Sequence, residues 1–269
     1  LHNRVGKLTE KITAFLTTDK APDLVLNRYC GECEFQTRCK QKAIEKDDLS
    51  LLSGMSEKER KKLNNKGIFT VTQLSYTFRP RRRPKKLRDK REKYHHALKA
   101  LAIREKKIHI VGTPELKIEG TPVYFDVEGR PDRDFSDLIG VRVGEDNSAI
   151  QHSLWADTVE DEGKNWKDFL AILNGIADPV LIHDGSYEKQ FLKKMTARYN
   201  DAAHHSSATE AVAHPVNLLS HIYGHVYFPT FSNGLKAVAR HLGFEWADPS
   251  IKVDLHPSPG ENGGGFAVI

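Results

Sequence analysis

Near residue 108 the chain changes its hydrophobic period, and no other feature limits the fold as much. Upstream, apolar residues recur at helical spacing, as in the stripe Val5, Leu8, Ile12, Phe15 and Leu16. Downstream, short runs divided by Gly, Pro, Asp and Asn read as strands over 108–111, 115–119, 123–128, 138–143 and 149–155. The last three lie close enough together for an antiparallel meander. A helix is expected over 166–176, a buried strand over 179–183, and further helices over 186–199, 215–225 and 234–242. This order of elements predicts an α/β domain over 108–256, a mixed sheet with flanking helices.

The rest of the chain divides by composition. Residues 1–46 read as a helix followed by a cysteine cluster. Residues 47–78 read as two short helices around Gly54, a turn at Asn65-Lys66-Gly67 and a helical start at Thr70. A basic linker and a helix are expected over 79–107, and a flexible glycine-containing tail over 257–269. The chain begins at Leu1 inside a helix, so a piece of a longer protein is expected. No apolar run approaches the roughly 20 residues of a membrane helix, and no secretory signal opens the chain. A cytoplasmic protein without a membrane partner is the expectation.

Charge is concentrated. Of a net +5, the stretch 79–93 alone carries +8, from ten Lys or Arg against Asp89 and Glu92, so the remainder carries −3. Pro80 and Pro84 exclude regular helix there and keep the arginines extended. A basic block on a mildly acidic body suits a polyanion, with Arg79, Arg81, Arg82, Arg83, Lys85 and Lys86 as phosphate contacts. A solvated linker is the alternative.

The chemistry-bearing run is Tyr124-Phe125-Asp126-Val127-Glu128-Gly129. On a strand, residues two apart share a face, so Asp126 and Glu128 point together while Val123, Phe125 and Val127 bury on the other side. Two adjacent carboxylates repel unless a cation or a proton intervenes, and an all-oxygen pair suits Mg²⁺ or Mn²⁺. A second run, Val180-Leu181-Ile182-His183-Asp184-Gly185-Ser186-Tyr187-Glu188, is a buried strand breaking into a helix. There Glu188 shares a stripe with Phe191, Leu192 and Met195, and a carboxylate facing a core is costly unless paired or metal-bound. Solvent-facing acids remain the alternative for both runs.

Cys30-x2-Cys33-x5-Cys39 gives three thiols within ten residues, which favours a metal or cluster site over disulfides. Zinc and iron–sulfur sites generally take four ligands, so one is missing; His95 is a candidate fourth ligand for Zn²⁺. His221 and His225, four apart on the expected helix, could bind metal but more often such a pair is on the surface, and His204 and His205 lie in a Ser/Ala-rich loop with no role assigned.

These motifs carry a resemblance. Asp-x-Glu after an apolar strand, with Asp184-x-x-Tyr187-Glu188 at a strand-to-helix turn about sixty residues later, resembles the first two motifs of DEDD-type 3′–5′ exonucleases. Together with Cys30-x-x-Cys33, Gly67-Ile68-Phe69-Thr70-Val71, Phe78-Arg79-Pro80-Arg81-Arg82-Arg83 and Gly234-Leu235-Lys236-Ala237-Val238-Ala239, the chain from about 25 to 250 looks like the C-terminal part of a RecB-like nuclease family with a YprB-type ribonuclease H-like domain. The resemblance implies that Asp126, Glu128 and Glu188 are catalytic metal-site acids, with Asp184 where Asn is usual. It implies a fourth acid after the Gly234 helix, where the sequence offers only Asp248 and Asp254, and Asn217 stands where many relatives carry Asp. It implies a [4Fe–4S] cluster on the three cysteines, completed by an upstream Cys of a nuclease domain missing from this chain. Residues 49–74 resemble a helix-hairpin-helix, with Gly54 at the phosphate-facing hairpin. The expected function is metal-dependent hydrolysis of DNA, ahead of RNA, by a 3′–5′ exonuclease-like domain. The alternative is a non-catalytic, nucleic-acid-binding and Fe–S-bearing module of a larger nuclease.

Overall fold

A computed structural model describes residues 2–18, 23–80, 94–130, 135–144, 148–199 and 206–245. Two compact units emerge, one from the described residues up to Pro80 with helix α5, the other from residues 94–95 and 106 onward.

The first unit is helical. It contains α1 (His2–Leu16), α2 (Gln36–Glu45), α3 (Glu57–Asn64), α4 (Val71–Ser75) and α5 (His96–Glu105). α3 and α4 start on capping boxes, Ser56 with Glu59 and Thr70 with Gln73, each satisfying two end N–H groups. After α2 the chain turns at Asp47, whose carboxylate accepts the Thr72 N–H at 2.8 Å, while Asp48 bridges to Thr70. That tie brings Leu49, Leu51 and Leu52 together with Val71 and Leu74 as buried side chains. From α5, Arg104 donates to the Ser75 hydroxyl at 2.9 Å and lies 4.1 Å over the Tyr76 ring. The α1 stripe expected from the sequence is present as a helix, but Val5, Leu8, Ile12, Phe15 and Leu16 are all exposed.

The second unit is built on strands β1 (His109–Ile110), β2 (Thr121–Arg130), β3 (Phe135–Val143), β4 (Ile150–Trp155), β5 (Pro179–His183), β6 (Val216–Asn217) and β7 (Val226–Tyr227). Its helices are α6 (Val159–Asn174), α7 (Tyr187–Tyr199), α8 (Ser207–Ala213), α9 (Leu218–Ile222) and α10 (Leu235–His241). Five strands form one sheet in the order β4-β3-β2-β5-β6. β2, β3 and β4 are the antiparallel meander, and β5 and β6 continue it in parallel from β2. β1 and β7 pair separately. Val123, Phe125 and Val127 of β2, Ile139 and Val141 of β3 and Leu181 of β5 bury against Trp166, Phe169 and Leu173 of α6, Phe191, Leu192 and Met195 of α7, and Ala208 and Ala211 of α8. At about 25 cal/mol per Å², apolar burial on this scale is the main force holding helices to sheet.

A buried charge ties the helices to the strand ends. Glu162 of α6, 1% exposed, accepts the Ser136 N–H at 3.0 Å and the Tyr199 hydroxyl at 3.1 Å, and pairs with Arg198 and Lys194.

Three sequence expectations are corrected here. Residues 115–119 form no strand; Glu115 and Lys117 are exposed and the stretch has no ladder partner. The helix expected over 215–225 is divided into β6 and α9, because Val216 and Asn217 are taken by the edge of β5 and Gly224, at φ +86°, ends the segment. α6 starts seven residues before the expected 166, on the capping box of Thr158 with Asp161.

Candidate active site

The site grows from alternation on β2. With Phe125 and Val127 buried beneath the helices, Asp126 between them is half-buried on the opposite side and Glu128 is exposed. Immediately after Glu128 the ladder to β3 shifts register, a bulge that re-aims the strand end. Gly129 follows because nothing larger fits: a Cβ there would stand 2.6 Å from the Phe135 carbonyl and 2.8 Å from the Tyr187 hydroxyl.

β5 lies parallel to β2 and ends at His183, and the chain turns through Asp184, Gly185 and Ser186 into α7. Gly185 adopts φ +109°, a region that favours glycine. Asn217 on β6 holds this turn with both ends of its amide: its oxygen accepts the Gly185 N–H at 3.3 Å and its nitrogen donates to the Gly185 carbonyl. An Asp could supply only the first of these bonds. The turn sets Glu188, 6% exposed, in the first turn of α7.

The acids feel one another. Burial pushes the Asp126 carboxyl up to about 6 from its ordinary 3.8, and the charges of Glu128 and Glu188 push the same way. Glu128, although its side chain reaches solvent, is raised by partial desolvation and by Glu188, against the pull of the Lys236 ammonium. Asp184 is raised by burial and Glu188, opposed by His183 and by the Leu235 N–H it accepts. Lys236, in the first turn of α10, attracts both Asp126 and Glu128. Tyr187 has its hydroxyl bonded to Ser136, and burial followed by the Glu128 charge raises its pKa. At the floor, His183 Nδ1 is 3.5 Å from Glu188 Oε2, with no hydrogen-bond geometry between them.

The structure thus brings Asp126, Glu128, Glu188 and Asp184 into one electrostatic neighbourhood. Among the described residues, no group of three or more His, Cys, Asp or Glu side chains is arranged to hold a metal ion. Asp248 and Asp254, the sequence candidates for a fourth acid, lie outside the described residues, as do Arg81, Arg82, Arg83, Lys85, Lys86, His204 and His205. Arg79 is exposed. Cys30 and Cys39 are half-buried, Cys33 is exposed, and all three are free thiols. Cys30 Sγ accepts the Asn27 N–H at 3.3 Å. Gly54 stands at φ +79° with open space around it, ahead of the α3 cap. His221 is exposed, and His225 Nδ1 meets the Val111 carbonyl at 3.2 Å.

Sequence reasoning gave no role to His183, Tyr187 or Lys236. Two of the three carried a signal. His183 is a polar residue closing an apolar strand. Lys236 puts a cation in the first turn of a helix, where the dipole favours acids, so a nearby negative cluster was implied.

Residues 123–255, just under half of the chain, match the RNase_H_2 family model, described as RNase_H superfamily. The five-stranded mixed sheet with flanking helices fits an RNase H-like fold. Domains of this superfamily point to nuclease-type chemistry on nucleic acid, generally with Mg²⁺ or Mn²⁺. No curated protein and no solved structure matches the chain. No helix among the described residues is long and apolar enough to cross a membrane.

Proposed function

We propose, starting from a segment that matches the RNase H superfamily, that this chain hydrolyses phosphodiester bonds as a divalent-metal-dependent nuclease, DNA ahead of RNA, in the manner of a 3′–5′ exonuclease. The observation that carries the reading is the Asp126 carboxyl, pushed up to about 6 by burial and by two neighbouring acids. Burial of a carboxylate beside other acids costs stability and is characteristic of functional sites. An all-carboxylate donor set fits Mg²⁺ or Mn²⁺. Asp126, Glu128 and Glu188 would hold two divalent ions, whose chemistry is water activation and stabilisation of the leaving oxygen. Asp184 accepts the Leu235 N–H, and Asp248 or Asp254 would supply a further acid. Lys236 would offset part of the acidic charge as a phosphate approaches, and Arg79, Arg81, Arg82, Arg83, Lys85, Lys86 and the Gly54 hairpin would hold the backbone.

The test is incubation of end-labelled single-stranded DNA and RNA with the chain and Mn²⁺. The parent should shorten the labelled strand from its 3′ end. Asp126→Asn should abolish cleavage with the fold intact, and an undiminished Asp126→Asn would sink the assignment. The second reading is a binding module without catalysis, favoured by the absence of a closed metal-holding group among the described residues. It predicts salt-dependent binding without cleavage. For Cys30, Cys33 and Cys39 the reading is a [4Fe–4S] cluster completed from a RecB-like nuclease domain outside this chain. A full-length protein that is brown, absorbing near 400 nm, supports it, and colourless protein with stoichiometric zinc supports Zn²⁺ instead.

A further inference from the structure

Two unpartnered polar groups lie close together in the acidic site. Both ring nitrogens of His183 are buried without a hydrogen-bond partner, and so is Oε2 of Glu188. The side chains are 0% and 8% exposed, and Nδ1 stands 3.5 Å from Oε2. A sealed polar atom without a partner is costly, so two of them 3.5 Å apart call for an explanation. No hydrogen bond reaches that oxygen.

We infer that His183 is a positioning residue for Glu188: its Nδ1–H holds the buried Oε2, leaving the other carboxylate oxygen for a divalent cation shared with Asp126. The inference rests on the metal-site reading above and deepens it. Both partners sit on fixed elements. His183 is the last residue of β5 and pairs with Asn217 of β6, and its ring meets Phe125 edge-on at 5.7 Å and 63°. Glu188 is set by the Gly185 turn that Asn217 clamps. Closing the gap to an ordinary N–H···O contact needs a shift of roughly 0.5 Å, within reach of one side-chain rotation. Carboxylate ligands oriented by an outer hydrogen bond typically lose about 10- to 100-fold in metal affinity when that bond is removed. The role is one of geometry: a carboxylate fixed through one oxygen presents the other in a single direction.

The experiment compares His183→Asn, whose amide nitrogen can stand where Nδ1 stood, with His183→Leu, of similar branching and no donor. Mn²⁺ binding is measured by calorimetry without nucleic acid, with thermal melting to confirm the fold. His183→Leu should bind Mn²⁺ about 10- to 100-fold more weakly than the parent, and His183→Asn should stay near the parent. In a Glu188→Gln background the His183 substitutions should change nothing further. If the Leu variant does not fold, His183→Phe fills the ring volume and replaces it. Equal Mn²⁺ affinity in parent and donor-free variant overturns the inference, as does equal weakening by Asn and Leu. A parent whose Mn²⁺ binding survives Asp126→Asn overturns the metal-site reading itself. Loss in Asp126→Asn with none in His183→Leu overturns only the role of His183.

Discussion

Replacing Asp126 by Asn should stabilise the metal-free fold while removing its function. In the folded chain the carboxyl titrates near 6 against an ordinary 3.8, a difference of about two units, and each unit is worth 1.36 kcal/mol. Between those values the folded state binds more protons than the unfolded state, so stability falls as pH rises through that window. Above it the destabilisation is complete, with a ceiling of about 3 kcal/mol. Asn removes the charge but must still satisfy its own amide, so a net gain of about 1–2 kcal/mol at pH 7.5 is expected. For a domain of this size that raises Tm by roughly 2–8 °C. As pH falls to about 4 the folded carboxyl is protonated and the unfolded one begins to be, so the difference between the two proteins should shrink to under about 1 kcal/mol. Calorimetry in EDTA at pH 7.5 and pH 4 makes the comparison. An Asn variant that melts at or below the parent at pH 7.5 refutes the argument that repulsion and burial strain this position.

Three further outcomes are expected. Asn217→Asp loses the donor to the Gly185 carbonyl and adds a negative charge near Asp184 and Glu188, so the urea midpoint should fall by an amount worth about 1–3 kcal/mol; an unchanged midpoint contradicts the clamp. Glu162→Gln should cost about 1.5–3 kcal/mol, less than the 3–5 of a fully sealed pair because Arg198 and Lys194 keep access to water. A loss under 0.5 kcal/mol in chemical denaturation would show that this network is dispensable. Replacing Arg81, Arg82 and Arg83 together by Ala should flatten the slope of log affinity against log salt on duplex DNA by about 2 to 3, with cleavage at saturating substrate retained; an unchanged slope makes the block a solvated linker.

The meander and β5 were legible because each strand has one face in the core, so Val123, Phe125 and Val127 mark the register without ambiguity. The same alternation paired Asp126 with Glu128. Other segments obey forces that no local pattern displays. Leu218, Leu219 and Ile222 have helical spacing, but the edge of β5 takes Val216 and Asn217 before the helix can start. α8 is an alanine-containing segment whose burial depends on α6 and was not foreseen. The run 115–119 has strand-like residues without a neighbour to pair with. At the site, the acids were read from their spacing. His183, Lys236 and the Asn217 clamp were not, because their roles depend on which elements the tertiary fold brings beside the β5–α7 turn.

If Asp126, Glu128 and Glu188 hold divalent metal, anomalous diffraction from a Mn²⁺-soaked crystal should locate it. A manganese peak is expected in contact with carboxylate oxygens of Asp126, Glu128 and Glu188, at roughly 2.0–2.3 Å, with its loss in Asp126→Asn. A peak elsewhere, or none between those side chains at saturating Mn²⁺, contradicts the metal-site reading.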